Sequence, residues 1–223
     1  MRHVQEQINP AGWKRTLFEG LIPHPGRMEV ATLPLRLYQR LGIRRLTYAL
    51  GLTRILPSQL RDLEAMLPHL PQRPLRHVLP QVTEARGQAK YRVGFFLGCA
   101  QSLLFAEESA ATVRVLVRNG CTVITPREVE CCGMPARGYG RPDLVQAQAR
   151  HNIAVFERHQ VDAIVTDCAT CGSTLKEYGA LFQGNAEWAD RAEAFSHKVR
   201  DVSEFLAEIP LEASRVEDPR RVL

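Results

Sequence analysis

Five of the six cysteines in this 223-residue chain fall into three groups, Cys99 alone, Cys131 with Cys132, and Cys168 with Cys171, in the spacing C-x31-C-C-x35-C-x2-C. Thiols in that number ligate metals, exchange disulfides or pack as small apolar side chains. The adjacent pair narrows the choice. Neighbouring side chains of an extended strand point to opposite faces, so Cys131 and Cys132 could not meet one partner from a strand. A disulfide between them is disfavoured, because consecutive Cα atoms lie only ~3.8 Å apart. If both sulfurs serve one site, the stretch VECCGMP must turn sharply, and Gly133 and Pro135 supply that turn.

Three apolar runs precede the three groups. YRVGFFLG predicts a buried strand ahead of Cys99, CTVITP a second ahead of Cys131, and VDAIVTD a third ahead of Cys168. Helical stretches alternate with them. These are ESAATVRVLVRNG, closed by Gly120, then 142–160 opening on Pro142, then STLKEYGALF with Thr174 and Glu177 as a capping box. One long polar helix, AEWADRAEAFSHKVRDVSEFLAEI, is expected to end the domain. The alternation predicts an α/β fold, a parallel Rossmann-like sheet with flanking helices. All strand C-termini then share one edge, so the five sulfurs converge on one pocket where helix N-termini favour thiolates. Cys121 opens the second strand at the opposite edge and is expected to be an inert core thiol. No G-x-G-x-x-G, P-loop or Ser-His-Asp arrangement accompanies the sheet.

Residues 1–90 have a different character. They hold 14 Lys/Arg against 6 Asp/Glu and nine of the 14 prolines, and no cysteine. Short helices between prolines are expected: one capped at Asn9-Pro10 and closed by Pro23, Pro25 and Gly26, one over about 31–50, and one from Ser58 to Pro68. The run PHLPQRPLRHVLP, 68–80, reads as a linker without helix or central strand. The expected organisation is a basic helical linker segment over 1–90 and a cysteine-rich α/β domain over 91–223. Arg36, Arg40, Arg44 and Arg45 on the second helix would suit an anionic surface or simply a solvated face. No apolar run approaches the ~20 residues of a membrane span, and the N-terminus lacks an apolar signal core, so a cytoplasmic protein is expected.

The motifs GCAQS, ECCGMP and DCATCGS, in this order and spacing, resemble the cysteine-rich "CCG" domain. That domain occurs in iron–sulfur subunits of glycolate oxidase, lactate-utilisation and anaerobic glycerol-3-phosphate dehydrogenase systems, and in heterodisulfide reductases. LIPHPGR and DVSEFL look most like the glycolate oxidase iron–sulfur subunit. The resemblance implies that Cys99, Cys131, Cys132, Cys168 and Cys171 hold an iron–sulfur cluster, a [4Fe-4S] centre of cubane or non-cubane type. It implies an electron-transfer component of a membrane-associated glycolate-type 2-hydroxy-acid dehydrogenase, with partner flavoprotein subunits and a peripheral place at the inner face of the cell membrane. A ferredoxin-like domain with two C-x2-C-x2-C-x3-C-P runs and a second CCG domain, both usual in that family, are absent from these 223 residues, so a partial chain is expected.

Two other readings stay open on the residues. Four of the sulfurs suit a structural zinc site that scaffolds assembly. The C-x-x-C at 168–171 suits a heterodisulfide-reductase-like thiol–disulfide oxidoreductase. Arg137, Tyr139 and Arg141, after the CCG turn, and His151 and His159 on the next helix are expected to be surface or packing residues. Nucleic acid is not expected as a partner, since no recognition motif accompanies the basic charge.

Overall fold

The computed structural model describes residues 16–49, 51, 58–66 and 70–212. A π-helical turn, Thr16–Leu21, leads into helices α1 (Pro25–Ala31), α2 (Leu33–Arg40), α3 (Ile43–Ala49), α4 (Ser58–Met66) and the single turn α5 (Leu75–Val78). The α/β part then runs β1 (Val82–Thr83), β2 (Tyr91–Phe95), α6 (Cys99–Leu104), α7 (Ala106–Arg118), β3 (Cys121–Ile124), α8 (Met134–Gly138) and α9 (Pro142–Glu157). It closes with β4 (Ala163–Thr166), α10 (Ala169–Lys176), α11 (Tyr178–Leu181), α12 (Ala189–Lys198), β5 (Val199–Asp201) and α13 (Val202–Glu208).

The five strands form one sheet in the order β1-β3-β2-β4-β5, parallel except for β1, which runs antiparallel to β3 at the edge. Both faces are covered, and the strand residues divide by alternation as a doubly covered sheet requires. Val93, Phe95, Val123 and Val165 join the core under α7 and α13, whereas Phe96, Ile124 and Ile164 join the core under α9, α10 and α12. The expected α/β architecture with a parallel sheet is therefore the observed one.

Gly94 lets α9 approach the sheet closely. A Cβ there would stand 2.7 Å from the Phe156 ring of α9. Phe156 in turn stacks on Phe96 and meets Phe195 edge-on, so the glycine seats the aromatic centre of that face.

Several local expectations are corrected. The long C-terminal helix is broken by β5, because Val199 pairs alongside Ile164 as a buried strand residue and Asp201 caps a new helix. The capping box is formed by Asp201 and Glu204; Thr174 lies inside α10 and donates to the Thr170 carbonyl. The helix expected over 31–50 divides at Gly42, whose φ of +68° ends α2 and starts α3. Pro25 and Gly26 begin α1 rather than closing a helix, and α5 interrupts the proline-rich linker. The expected cap at Asn9-Pro10 and the helix end at Pro68 lie outside the described residues.

Candidate metal centre

Each cysteine group follows a strand of the parallel sheet, and in each the chain turns directly into a helix. Cys99 is the first residue of α6, Cys131 and Cys132 precede α8, and Cys168 is the N-cap of α10 with Cys171 in its first turn. Gly133 makes the CCG turn possible. Its φ of +97° is a left-handed conformation, and Val145 and Gln148 leave no room for a Cβ.

The five thiols interact in series, Cys99 with Cys131, Cys131 with Cys132, Cys132 with Cys171, and Cys171 with Cys168. The row curls back on itself, since a Cβ on Gly98 would stand 3.3 Å from the Cys171 sulfur. Cys131, Cys132 and Cys171 are buried, while Cys99 and Cys168 are half-buried at the two ends. Cys121 is fully buried at the start of β3, opposite Tyr91 on the far edge of the sheet, and burial pushes its thiol up to about 11. The structure thus brings together the five expected cysteines and sets the sixth apart.

The local field separates the thiols. Contact with Cys131 and then Cys171 holds Cys132 well below the usual thiol range. Cys171 also holds Cys168 down, to about 6. The donors in these contacts move the other way: Cys132 pushes up Cys131, Cys131 and burial push up Cys99, and Cys132 and Cys168 push up Cys171. Backbone N–H groups of Ala100, Gly133, Met134 and Thr170 point at the sulfurs and favour their thiolate forms.

A buried polar frame holds the CCG turn. Asn152 of α9 donates through Nδ2 to the Cys131 carbonyl at 3.1 Å and accepts from the Glu130 N–H at 3.0 Å. Tyr178 of α11 donates to the Cys132 carbonyl at 2.8 Å. Neither residue was anticipated from the sequence. Asn152 did carry a signal: with Gln148 one turn earlier it places two amides on the buried side of an amphipathic helix. The residues expected at the surface are there, Arg137 paired with Glu177, Arg141 with Asp143 and Glu19, and exposed His151 contacting the Glu128 carbonyl at 2.7 Å.

The N-terminal segment packs over this edge. Ile22 joins the core beside the cysteines, α1 packs on α6, and the π-helical turn packs on α8. His24 lies 3.9 Å from Glu130, and Glu29 lies 3.6 Å from Arg76.

Thiolates of this number and softness fit an iron–sulfur group. Among the described residues no three His, Cys, Asp or Glu groups close on a single point as one metal ion requires. Cys99, Cys131, Cys132, Cys168 and Cys171 are the residues that would hold an iron–sulfur group, which would supply one-electron chemistry at thiolate-bound iron.

A family profile described as "Glycolate oxidase iron-sulfur subunit, linker region" matches residues 10–67, and one described as "Cysteine-rich domain", CCG, matches residues 93–176. The probable glycolate oxidase iron–sulfur subunit of Bacillus subtilis is 37% identical over 197 residues, covering 88% of this chain and 44% of the relative. The glycolate oxidase iron–sulfur subunit of Escherichia coli is 33% identical over 230 residues, covering 98% of this chain and 49% of the relative. Lactate utilization protein A of a Geobacillus species is 33% identical over 118 residues, covering 53% of this chain and 49% of the relative. The chain spans about half the length of the curated relatives it matches, and no solved structure matches it. The chain thus carries a cysteine-rich CCG domain behind a segment that matches the glycolate oxidase iron–sulfur subunit linker, and along most of its length it is similar to glycolate oxidase iron–sulfur subunits.

Proposed function

We propose that this chain is an electron-transfer portion of a glycolate-type 2-hydroxy-acid dehydrogenase, receiving electrons from a partner flavoprotein that oxidises the hydroxy acid. The observation that carries this reading is the serial interaction of five thiols drawn from three strand ends, in a chain whose relatives are named as iron–sulfur subunits. Cys99, Cys131, Cys132, Cys168 and Cys171 would hold the centre, a four-iron cluster of non-cubane kind, since a cubane needs only four thiolates. Such a group supplies one-electron acceptance and release at thiolate-bound iron.

The chain's own residues set the conditions. Asn152 and Tyr178 fix the carbonyls of the CCG turn, so the Cys131 and Cys132 sulfurs keep their direction. The α9–α12 core excludes water from the inner three sulfurs, and the N-terminal segment covers the rim. No side chain is assigned to the hydroxy acid, which belongs to the partner.

A peripheral place at the inner membrane face forms the second part of the reading. Among the described residues no helix is long and apolar enough to cross a membrane. Helices α2 and α3 and the turn between them expose Leu33, Leu37, Leu41 and Leu46 with Arg40 among them, an apolar face with a basic side chain that suits an anionic interface.

The deciding experiment is iron, zinc and acid-labile sulfide per chain after purification without oxygen, followed by reduction with dithionite. Iron and sulfide near ~4 each, with visible absorption that bleaches on reduction, are the expected result. One zinc without sulfide would make the domain a scaffold and remove the electron-transfer role. Neither metal, with the five thiols cycling through disulfides, would move the reading to thiol–disulfide exchange.

A further inference from the structure

Arg76 is a cation of the N-terminal segment that reaches the sulfur edge. Its side chain is 11% exposed. Its Nη2 donates to the Val129 carbonyl at 3.0 Å, two residues before Cys131, and its backbone N–H donates to Ser102 Oγ at 3.2 Å, on the helix that opens with Cys99. Arg76 is thereby tied to two of the three cysteine groups, by its guanidinium beside Cys131 and by its backbone on the helix that opens with Cys99.

Its charge is only partly answered by carboxylate. Glu29 Oε2 contacts His77 Nε2 at 2.8 Å, whereas Glu29 Oε1 stands 3.6 Å from Arg76 Nε, beyond hydrogen-bond reach. Both of those atoms are buried without a hydrogen-bond partner. Burial lowers the Arg76 pKa, and attraction to Glu29 and then to Cys99 opposes the fall. A fixed cation in a water-poor setting stabilises negative charge nearby more strongly than one in solvent.

We propose that Arg76 is the charge-compensating residue of the metal centre, raising its reduction potential. The inference rests on the iron–sulfur reading above. Reduction delivers one electron from an external reductant, adds one unit of negative charge to the centre, and makes or breaks no bond at Arg76. The cation stabilises the reduced form over the oxidised form, since net charge is among the determinants of such potentials. In this arrangement the N-terminal segment supplies more than a spacer: it carries the charge that sets the driving force for electron entry.

The test is an anaerobic dithionite titration of the full chain, followed by visible absorption and electron paramagnetic resonance. Iron and sulfide per chain are measured first in every preparation. Arg76→Gln should shift the midpoint to a more negative potential at unchanged loading, Arg76→Lys should stay near the parent value, and Glu29→Gln should shift it positive. Arg118→Gln, an exposed cation at the end of α7, should leave it unmoved. If Arg76→Gln fails to load, the opposite-signed shift of Glu29→Gln carries the decision. Parent potentials in both loaded Arg76→Gln and Glu29→Gln, or in Glu29→Gln alone when Arg76→Gln is empty, would overturn the proposal. A parent chain without iron and sulfide would instead sink the iron–sulfur reading, and this inference with it.

Discussion

Tyr178 donates its phenolic hydrogen to the Cys132 carbonyl oxygen across 2.8 Å, with the whole side chain buried. The ring also stacks on Phe195 at 5.4 Å between centroids, so the aromatic core and the CCG turn share one side chain. Tyr178→Phe keeps the ring and orphans the carbonyl. The expected cost is about 1–3 kcal/mol, that of a buried unsatisfied acceptor. Urea unfolding of the metal-free chain measures it, and an unchanged midpoint would mean that Asn152 alone holds the turn.

Gly94 is occupied by its neighbour's ring. Gly94→Ala places a Cβ 2.7 Å from Phe156 and should destabilise by about 1–3 kcal/mol, the usual penalty for overpacking. In a chain of this size that lowers Tm by roughly 2–4 °C per kcal/mol. Combining it with Phe156→Leu should cost less than the sum of the two single changes, and strict additivity would show that the two residues do not collide.

Cysteine substitutions should divide five to one. Alanine at Cys131, Cys132 or Cys171 should abolish or at least halve the iron bound per folded chain, because each removes an inner link of the sulfur row. Cys121→Ala should leave iron per folded chain unchanged and lower only stability, by a small cavity term. Equal iron loss from Cys121→Ala would contradict its place on the far edge.

Asp201 ends β5 and caps α13, its side chain accepting from the Ser203 N–H at 2.9 Å while Glu204 reaches back to the Asp201 N–H at 2.8 Å. Asp201→Ala should cost about 0.5–2 kcal/mol. Glu204 is also bonded to Lys176, which with the Asp201 N–H holds its carboxyl below the ordinary glutamate range. That depressed pKa makes the contribution full above the ordinary glutamate range and lost as pH falls through the folded-state value. Acid unfolding of Glu204→Gln should therefore lose pH dependence in that window, and an unaltered acid limb would show the pair to be fully screened.

How far the sequence spoke depends on the scale of the signal. The strands at 91–95, 121–124 and 163–166 are short apolar runs bounded by polar turns, and each was legible, as was the convergence of cysteines that follow them. β5 was not legible, because three residues between two amphipathic helices carry no period of their own; pairing of Val199 beside Ile164 decides it. The division of 31–50 at Gly42 had a local marker, whereas nothing local announced that Arg76, 23 positions before Cys99, would sit against the sulfur edge. The frame made by Asn152 and Tyr178 belongs to the same class, side chains whose role exists only once two helices lie beside the turn.

The strand order has a consequence for timing. Of the three central strands, β2 lies in the middle but is made first; β3 follows on one side of it and then β4 on the other. A chain emerging from the ribosome would present Cys99, then the adjacent pair, and the complete donor set only after Cys171 has followed β4 into place. A group held by all five thiols would therefore be captured fully only by a sheet whose central three strands have already met, which would make loading a late checkpoint on correct folding.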